Sequence, residues 1–271
     1  MLGIFDSGFG GLTVLQPIHQ HLPNLSTIYL GDNARAPYGV RSQEEIYQYT
    51  LEGVRFLFEQ GCPLVILACN TASSQALSRI QKEVLPEKFP DRRVLGVIRP
   101  AAEQLAQNGT DVGIFATPAT VESEAYVEEL KKLNPSVRVE QLACPGLTDL
   151  IEAGRHEGEN CNQLTKHFTD ELLAKAPSIT SILLGCTHYP LIEDLFSKHH
   201  PEHVKLLSQG SIVAKSLADY LERHPEMLER IDQNSARRYF TTGKDLHSLA
   251  STFYGDTIEN WHTLDYLGGP V

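Results

Sequence analysis

The chain alternates short apolar runs with amphipathic stretches along almost its whole length. Apolar runs bounded by turn residues are typical of buried strands, and the stretches between them are typical of helices. The predicted strands are residues 3–5, 27–30, 64–68, 94–98, 112–116, 137–142, 181–184 and 204–207. Helices are predicted around residues 123–133 and 163–174, and another begins at Ser42, where Glu45 completes a capping box. This alternation favours right-handed βαβ units and therefore an α/β fold with mostly parallel sheets.

Two of the apolar runs end in the same way, with a small residue, a cysteine and then hydroxyl or amide side chains. The first frame is Ala68-Cys69-Asn70-Thr71, and the second is Gly185-Cys186-Thr187-His188. Each frame predicts a thiol at the carboxyl end of a buried parallel strand, with a helix following. Active sites of open α/β sheets lie at such strand ends. Two thiols presented alike suggest a reaction that needs a similar group on each side of its substrate.

The repeated cysteine frame also indicates the domain organisation. It predicts two pseudo-symmetric α/β domains, with the active site in the cleft between them. The chain is expected to cross into the second domain at residues 98–100 and to return at 208–210. The first domain is then 1–97 plus 209–271, and the second is 98–208.

Composition and charge narrow the class of protein. A hydrophobic content of 41% and a charged content of 21% over 271 residues are typical of a globular protein with a proper core. The formal net charge of -11 argues against a nucleic acid as the main partner, since phosphate binding favours a basic face. The sequence shows no signal-peptide pattern, and no run approaches the roughly 18 apolar residues of a membrane span. We therefore expect a soluble, cytoplasmic protein without a membrane partner.

The five cysteines predict neither a disulfide framework nor a structural zinc site. Their number is odd, and the sequence has no Cys-x-x-Cys and no paired Cys/His finger spacing. Cys62, Cys144 and Cys161 stand in no special frame, and we expect them to be inert thiols.

A glycine-rich turn follows the first predicted strand. Asp6 and Ser7 precede Gly8, Gly10 and Gly11, an arrangement that allows a tight turn whose N–H groups hold an anion. It is neither the Gly-x-Gly-x-x-Gly of dinucleotide folds nor a P-loop. Asp6 is either a helix N-cap, the interpretation that its position alone favours, or a carboxylate placed to handle a proton.

A second loop could contribute to a pocket. It follows the second predicted strand and contains Pro37, Tyr38 and Gly39. This tripeptide is typical of a plain turn, but it could also offer the backbone N–H of Gly39 and the phenol of Tyr38 to a ligand.

The neighbours of the framed cysteines point to acid–base chemistry. A helix N-terminus stabilises a thiolate, and it lowers the pKa of a thiol from about 8.5 towards neutrality. His188 lies two residues after the second framed cysteine, close enough in a turn to accept or supply a proton. Small polar residues also take positions where a core would favour Val or Leu.

Taken together, these motifs resemble those of the glutamate racemases, which are cofactor-independent amino-acid racemases that use two cysteines. The resemblance rests on four motifs in family order, residues 5–14, 37–39, 68–73 and 185–190. Weaker matches are residues 116–121, Cys144-Pro145 followed by Glu152, and residues 239–243. The matches run almost from end to end, which makes the combination more specific than any single motif.

The resemblance implies interconversion of L- and D-glutamate, with D-glutamate supplied to bacterial cell-wall synthesis. Inverting an α-carbon requires removal of its hydrogen on one face and delivery of a hydrogen on the other, so two acid–base groups suit the task. The resemblance implies that Cys69 takes the proton from D-glutamate and Cys186 from L-glutamate, without a cofactor or a metal. It further implies that Asp6 supports Cys69, that His188 supports Cys186, and that the enzyme is a homodimer.

The resemblance also implies which residues bind the substrate. Amides and hydroxyls would hold the carboxylates, and donors around the α-carboxylate would stabilise the charge that develops as the proton leaves. The expected binding residues are Asp6, Ser7, Tyr38, Gly39, Asn70, Thr71, Thr117, Thr120, Glu152, Thr187 and His188.

Other functions stay open at the level of the sequence. Another member of the same superfamily would act on aspartate, a hydantoin or a malonate-type acid, although two framed cysteines disfavour a decarboxylase. A non-catalytic amino-acid binder has no need of both thiols, and the absence of Cys-x-x-Cys disfavours a thiol redox protein. No lysine lies in the motifs, which disfavours pyridoxal phosphate. Arg99 and Ser208-Gln209 depart from the pattern expected of the racemases, but neither is a proton-transfer position.

Overall fold

Two separate sheets form the centre of the molecule in the computed structural model, which describes residues 1–243 and 247–265. The described strands are β1 (Leu2–Asp6), β2 (Thr27–Gly31), β3 (Leu64–Leu67), β4 (Arg93–Gly96), β5 (Asp111–Ala116), β6 (Arg138–Ala143), β7 (Ser181–Gly185), β8 (Lys205–Leu207), β9 (Arg237–Thr241) and β10 (Trp261–Thr263). The first sheet has the order β10-β9-β2-β1-β3-β4, and the second has the order β6-β5-β7-β8. Neighbouring strands are parallel throughout both sheets. The predicted α/β fold with mostly parallel sheets is confirmed.

The same strand order occurs in both sheets. β2-β1-β3-β4 in the first corresponds to β6-β5-β7-β8 in the second, so β3 matches β7 and β1 matches β5. Strands β1, β2, β3 and β7 are buried at every residue, which is why the sequence shows them as continuous apolar runs. The boundaries after residues 97 and 208 stay a prediction. Residues 244–246 and 266–271 of the predicted first domain lie outside the described residues.

Helices connect the successive strands. The described α-helices are α1 (Leu12–His21), α2 (Gln43–Glu59), α3 (Asn70–Arg79), α4 (Leu85–Lys88), α5 (Ile98–Asn108), α6 (Pro118–Glu122), α7 (Ala125–Leu133), α8 (Leu147–Glu152), α9 (Glu159–Lys175), α10 (Glu193–His199), α11 (Gln209–Arg223), α12 (Pro225–Leu228) and α13 (His247–Tyr254). Short 3-10 helices cover Asn33–Arg35, Tyr38–Val40 and Tyr189–Ile192, and a π-helical turn, Ile80–Val84, joins α3 to α4. The predicted capping box of Ser42 and Glu45 opens α2. Within the described ranges, none of the helices combines the length and the apolar character that crossing a membrane requires.

The apolar pattern predicts one strand end wrongly and misses two strands. Residues 94–98 predict a strand, but β4 ends at Gly96 and Ile98 already begins α5. The pattern predicts neither β9 nor β10. β9 opens with the exposed Arg237 and Arg238, and β10 has three residues, so neither shows a sustained apolar run.

One apolar core extends from the first sheet to the second. It contains Leu2 and Ile4 of β1 together with Ile182 and Leu184 of β7, and α1 packs against α11 beside them. Each fully buried aliphatic side chain stabilises the fold by about 1.5–3 kcal/mol. The shared core therefore fixes the strand ends of the two sheets relative to each other.

The two departures from the family pattern both contact neighbouring helices. Arg99 lies exposed on α5, where its guanidinium pairs with Glu103 (2.6 Å) and with Glu129 of α7 (3.5 Å). Ser208 precedes α11, and its hydroxyl donates to Glu193 of α10. Neither side chain lines the pocket that contains the two framed cysteines.

Candidate active site

A pocket lies where the carboxyl ends of strands from both sheets meet. Cys69 follows β3 and Cys186 follows β7, so corresponding strands present the two thiols to the same pocket. The predicted binding residues that line it are Ser7, Tyr38, Gly39, Asn70, Thr71, Thr117, Thr187 and His188. Asp6, Thr120 and Glu152 lie behind this lining, and each is hydrogen-bonded to a lining residue.

Cys69 is buried at the N-terminus of α3. Its Sγ accepts a hydrogen bond from the backbone N–H of Ala72 (3.4 Å) and donates to Oγ of Ser7 (3.5 Å). Burial, and after it the carboxylate of Asp6, raises the pKa of Cys69 to about 12. The prediction of a pKa shifted towards neutrality is therefore wrong for this thiol, because desolvation and Asp6 outweigh the helix N-terminus.

Asp6 is fully buried at the end of β1 and bonds to both halves of the molecule. Its Oδ2 accepts from the N–H of Gly8 (3.0 Å), and its Oδ1 accepts from the hydroxyl of Thr187 (3.4 Å). The N-cap of α1 is Gly11 and no side chain caps this helix, so the N-cap interpretation of Asp6 is wrong. Burial raises the pKa of Asp6 above its ordinary value, and the charge of His188 opposes that shift.

Cys186 is buried beside an imidazole and a hydroxyl. Its Sγ lies 3.8 Å from Nδ1 of His188 and 3.9 Å from Oγ1 of Thr148. The segment that follows forms the 3-10 helix Tyr189–Ile192. Both frames predict a cysteine at the start of an α-helix. Of the two framed thiols, Cys69 meets this prediction and Cys186 does not.

His188 is held between Cys186 and Glu152. Its Nε2 lies 3.0 Å from Oε1 of Glu152, and its ring packs edge-on against Phe253 with centroids 5.1 Å apart. Burial disfavours the charged imidazole, but hydrogen bonds with Cys186 and Glu152 outweigh it and raise the pKa of His188 to about 10. His188 is therefore protonated at neutral pH, with its charge between a thiol and a carboxylate.

The glycine-rich turn lets this imidazole approach the first sheet closely. A Cβ atom at Gly10 would lie 2.7 Å from Nδ1 of His188 and would overlap the hydroxyl of Thr187. Next to it, Oγ1 of Thr13 donates to the carbonyl of Thr187 (3.0 Å). The absence of a side chain at Gly10 thus permits contact between the two halves, while anion binding by the turn stays a prediction.

Three threonine hydroxyls form a buried cluster at the pocket. Oγ1 of Thr71 lies 2.9 Å from Oγ1 of Thr117 and 3.3 Å from that of Thr120, and the last two are 3.0 Å apart. Thr71 is on α3, whereas Thr117 follows β5 and caps α6. The cluster therefore joins hydroxyls from both halves.

The hydroxyl of Tyr38 is bound inside the protein. It donates to Oδ2 of Asp32 (2.5 Å), and this buried carboxylate also accepts from Nε of Arg35 (2.6 Å) and from the hydroxyl of Thr242 (2.8 Å). Thr242 directly follows β9. The loop that carries Tyr38 and Gly39 is thus anchored by a segment about two hundred residues away. Sequence reasoning missed this contact because no local pattern indicates it.

Sequence reasoning also missed one wall of the pocket. The segment after β6 supplies Cys144, Pro145, Gly146, Thr148 and Asp149. Only the weak Cys144-Pro145 match points to this segment. Burial raises the pKa of Cys144 well above its ordinary value, and its Sγ donates to the carbonyl of Leu142 (3.6 Å), in agreement with an inert thiol.

Comparisons with known proteins support one family. Residues 11–217 match the family described as Asp/Glu/Hydantoin racemase. A glutamate racemase of Ruegeria sp. is 47% identical over 239 residues, which cover 84% of this chain and 87% of that protein. The structure of glutamate racemase from Francisella tularensis in complex with D-glutamate matches with a TM-score of 0.87 at 30% identity, over 98% of this chain and 97% of that one. For the glutamate racemase isoform RacE1 of Bacillus anthracis the TM-score is 0.88 at 32% identity, with the same coverage. The resemblance predicted from the motifs is confirmed, and the chain belongs to the Asp/Glu/Hydantoin racemase family.

Proposed function

We propose that the chain racemises glutamate, with Cys69 and Cys186 as the two acid–base groups. The observation that carries the proposal is that corresponding strands, β3 and β7, present both thiols to one pocket. A substrate bound between the thiols exposes one face of its α-carbon to each. The relatives described above, one of them in complex with D-glutamate, support glutamate as the substrate.

In the proposed reaction one cysteine is a thiolate and the other is a thiol. The thiolate removes the α-hydrogen as a proton, and the electron pair left on the carbon delocalises into the α-carboxylate. The opposite thiol then delivers its proton to the other face, which leaves the enantiomer and a new thiolate. Each turnover exchanges the protonation states of the two cysteines, so the reverse reaction starts from the opposite state.

The two thiols have neighbours of opposite charge. The pKa of about 12 keeps Cys69 a thiol at neutral pH. Protonated His188, 3.8 Å from Sγ of Cys186, places a positive charge where it favours an anion. We therefore assign to the free enzyme a thiol at Cys69, the group that would deliver a proton when the substrate is L-glutamate.

The pocket suits an acidic amino acid through hydroxyl and backbone N–H donors, beside the charged imidazole of His188. Among the described residues that line it there is no lysine or arginine. Hydroxyls and backbone N–H groups can hold carboxylates, and donors fixed at the α-carboxylate stabilise the charge that develops there. The lining hydroxyls belong to Ser7, Thr71, Thr117, Thr148 and Thr187, beside the hydroxyl of Tyr38 that Asp32 binds.

Other parts of the proposal rest on the family resemblance. They are activity without a cofactor, supply of D-glutamate to cell-wall synthesis, a cytoplasmic location and a homodimeric assembly. Of the residues expected to bind substrate, we assign the eight that line the pocket to direct contact. The three behind the lining, Asp6, Thr120 and Glu152, act through their neighbours.

Racemisation by the purified protein without added cofactor tests the proposal. We expect L-glutamate to become D-glutamate, with solvent deuterium appearing at the α-carbon. Cys69→Ser and Cys186→Ser should each slow racemisation at least about a hundredfold. Cys161→Ser, which replaces a buried thiol outside the pocket lining, is the matched control and should keep the wild-type rate. Wild-type rates in both active-site variants would contradict the two-thiol proposal, and faster racemisation of aspartate would contradict glutamate as the substrate.

A further inference from the structure

Three buried polar side chains form a cluster beside Cys69, and two of them have no part in the proposed reaction. They are Asn70 of α3, Tyr126 of α7 and Gln209 of α11, with exposed fractions of 2%, 0% and 3%. Asn70 directly follows Cys69 and lines the pocket. The other two lie behind it and reach it from distant parts of the chain.

Four hydrogen bonds close this cluster. Nδ2 of Asn70 donates to Oε1 of Gln209 (2.6 Å), and Nε2 of Gln209 donates back to Oδ1 of Asn70 (3.0 Å). The hydroxyl of Tyr126 donates to the same Oδ1 (2.6 Å) and accepts from Nε2 of Gln209 (2.6 Å). The carbonyl oxygen of Asn70 therefore has two donors, and one N–H of its amide is used by Gln209.

This pattern fixes the orientation of the Asn70 amide. Turning that amide alone would set Oδ1 against Oε1 of Gln209 and Nδ2 against Nε2, which leaves buried donors and acceptors unpaired. Gln209 follows β8 of the second sheet, whereas Asn70 follows β3 of the first. The same pair of amides therefore joins the segments that follow β3 and β8, directly next to Cys69.

We propose that Gln209 is a positioning residue that acts through Asn70. It holds the amide of Asn70 so that the remaining N–H of Nδ2 donates to a carboxylate of the substrate bound beside Cys69. Gln209 itself touches neither the substrate nor the reacting atoms. The proposal rests on the racemase activity proposed above and adds a residue to its binding step.

A double-mutant cycle tests whether Gln209 acts through Asn70. Gln209→Met keeps the length of the side chain and removes both polar atoms. We expect it to lower kcat/KM for glutamate about tenfold, mainly by raising KM. Added to Asn70→Ala, the same substitution should change kcat/KM less than about twofold. Gln81→Met is the control, because Gln81 donates to the carbonyl of Val94 outside the pocket lining, and it should leave kcat/KM unchanged.

The outcomes separate this inference from the proposed function. Wild-type kcat/KM in Gln209→Met, or effects of the two substitutions that multiply in the double variant, would overturn the role of Gln209. Thermal unfolding of every variant identifies one that fails to fold. In that case Tyr126→Phe, which removes one donor to the same Oδ1, takes its place in the cycle with the same expectation. A wild-type protein that does not racemise glutamate would contradict both proposals, whereas multiplying effects in an active enzyme would contradict this one alone.

Discussion

The two thiol sites differ although the strands that carry them correspond. Cys69 follows β3 and caps α3, and burial together with the carboxylate of Asp6 raises its pKa to about 12. Cys186 follows β7 and has the charged imidazole of His188 at 3.8 Å, with Glu152 behind that imidazole. The repeated topology thus supplies two similar thiols, and their neighbours make the two sites unlike.

This difference suits a reaction in which one thiol must give a proton while the other takes one. Two identical buried sites would both favour the neutral thiol, since desolvation penalises the charged form. A negative neighbour at Cys69 and a positive neighbour at Cys186 give the two thiols opposite electrostatic surroundings before the substrate binds. Pairs of titratable groups whose environments push their pKa values apart are typical of acid–base pairs in enzymes.

Removing the charge beside Cys186 should have the largest effect on this contrast. His188→Gln keeps hydrogen-bonding atoms near the thiol but cannot carry a positive charge, so we expect kcat/KM to fall about a thousandfold. Initial rates from both enantiomers at pH 8 measure it. His199→Gln is the control, because His199 bonds Asn162 on α9 outside the pocket lining. An active His188→Gln enzyme would show that the charge is not needed.

Removing the charge beside Cys69 should have the next largest effect. Asp6→Asn eliminates the carboxylate that helps to keep Cys69 a thiol and that accepts from the hydroxyl of Thr187, and we expect kcat/KM for L-glutamate, which needs the Cys69 thiol, to fall about a hundredfold. Asp149→Asn, at another wall of the same pocket, is the comparison that shows whether loss of any carboxylate there has this effect. Equal losses in the two variants would contradict a specific link between Asp6 and Cys69.

Asp6→Asn should also stabilise the fold at alkaline pH. Burial raises the pKa of Asp6 in the folded state, so its contribution to stability is present below about pH 4 and is lost as pH rises through the folded pKa. Asparagine carries no charge at any pH. We expect the free energy of unfolding from urea titrations to rise by about 1 kcal/mol at pH 8 and to change little at pH 4. A destabilised variant at pH 8 would show that the ionised carboxylate favours folding.

Substituting the carboxylate behind His188 should have the smallest effect, a shift in the pH profile of kcat/KM. Hydrogen bonding to Glu152 helps to raise the pKa of His188 to about 10, so the imidazole loses its proton at lower pH in Glu152→Gln. We expect the alkaline limb of kcat/KM to move down by about one pH unit. Glu157→Gln, an exposed carboxylate in the loop after α8, is the control. An unchanged limb would rule out Glu152 as the group that holds the charge on His188.

The sequence predicts those features whose signal is local. Buried strands such as β3 and β7 are continuous apolar runs, and a cysteine directly after each run marks the thiols. Long-range partners have no such signal. Ser208-Gln209 departs visibly from the family pattern, yet its contact with Asn70 joins residues 139 positions apart. The hydrogen bond between Thr187 and Asp6, across 181 positions, has no local signal either.

The direction of the Cys69 pKa shift shows why local reasoning fails at a site. The sequence frame reports the helix N-terminus, which favours a thiolate, and the structure contains that helix. Burial and the position of Asp6 depend on the folded chain, and they act more strongly in the opposite direction. For the same reason Glu152, predicted to bind the substrate, lies behind the pocket lining and contacts His188.

Hydrogen exchange in single-thiol variants tests the central claim most directly, namely that each thiol serves one face of the α-carbon. Cys69→Ala and Cys186→Ala are each incubated in deuterium oxide with L-glutamate or D-glutamate, and proton NMR follows the α-hydrogen. We expect Cys69→Ala to exchange the α-hydrogen of L-glutamate alone, without inversion. Cys186→Ala should exchange that of D-glutamate alone, and more slowly, because the raised pKa of Cys69 leaves little thiolate. Exchange of both enantiomers by either variant, or of the opposite enantiomer, would contradict the assignment of one thiol to each face.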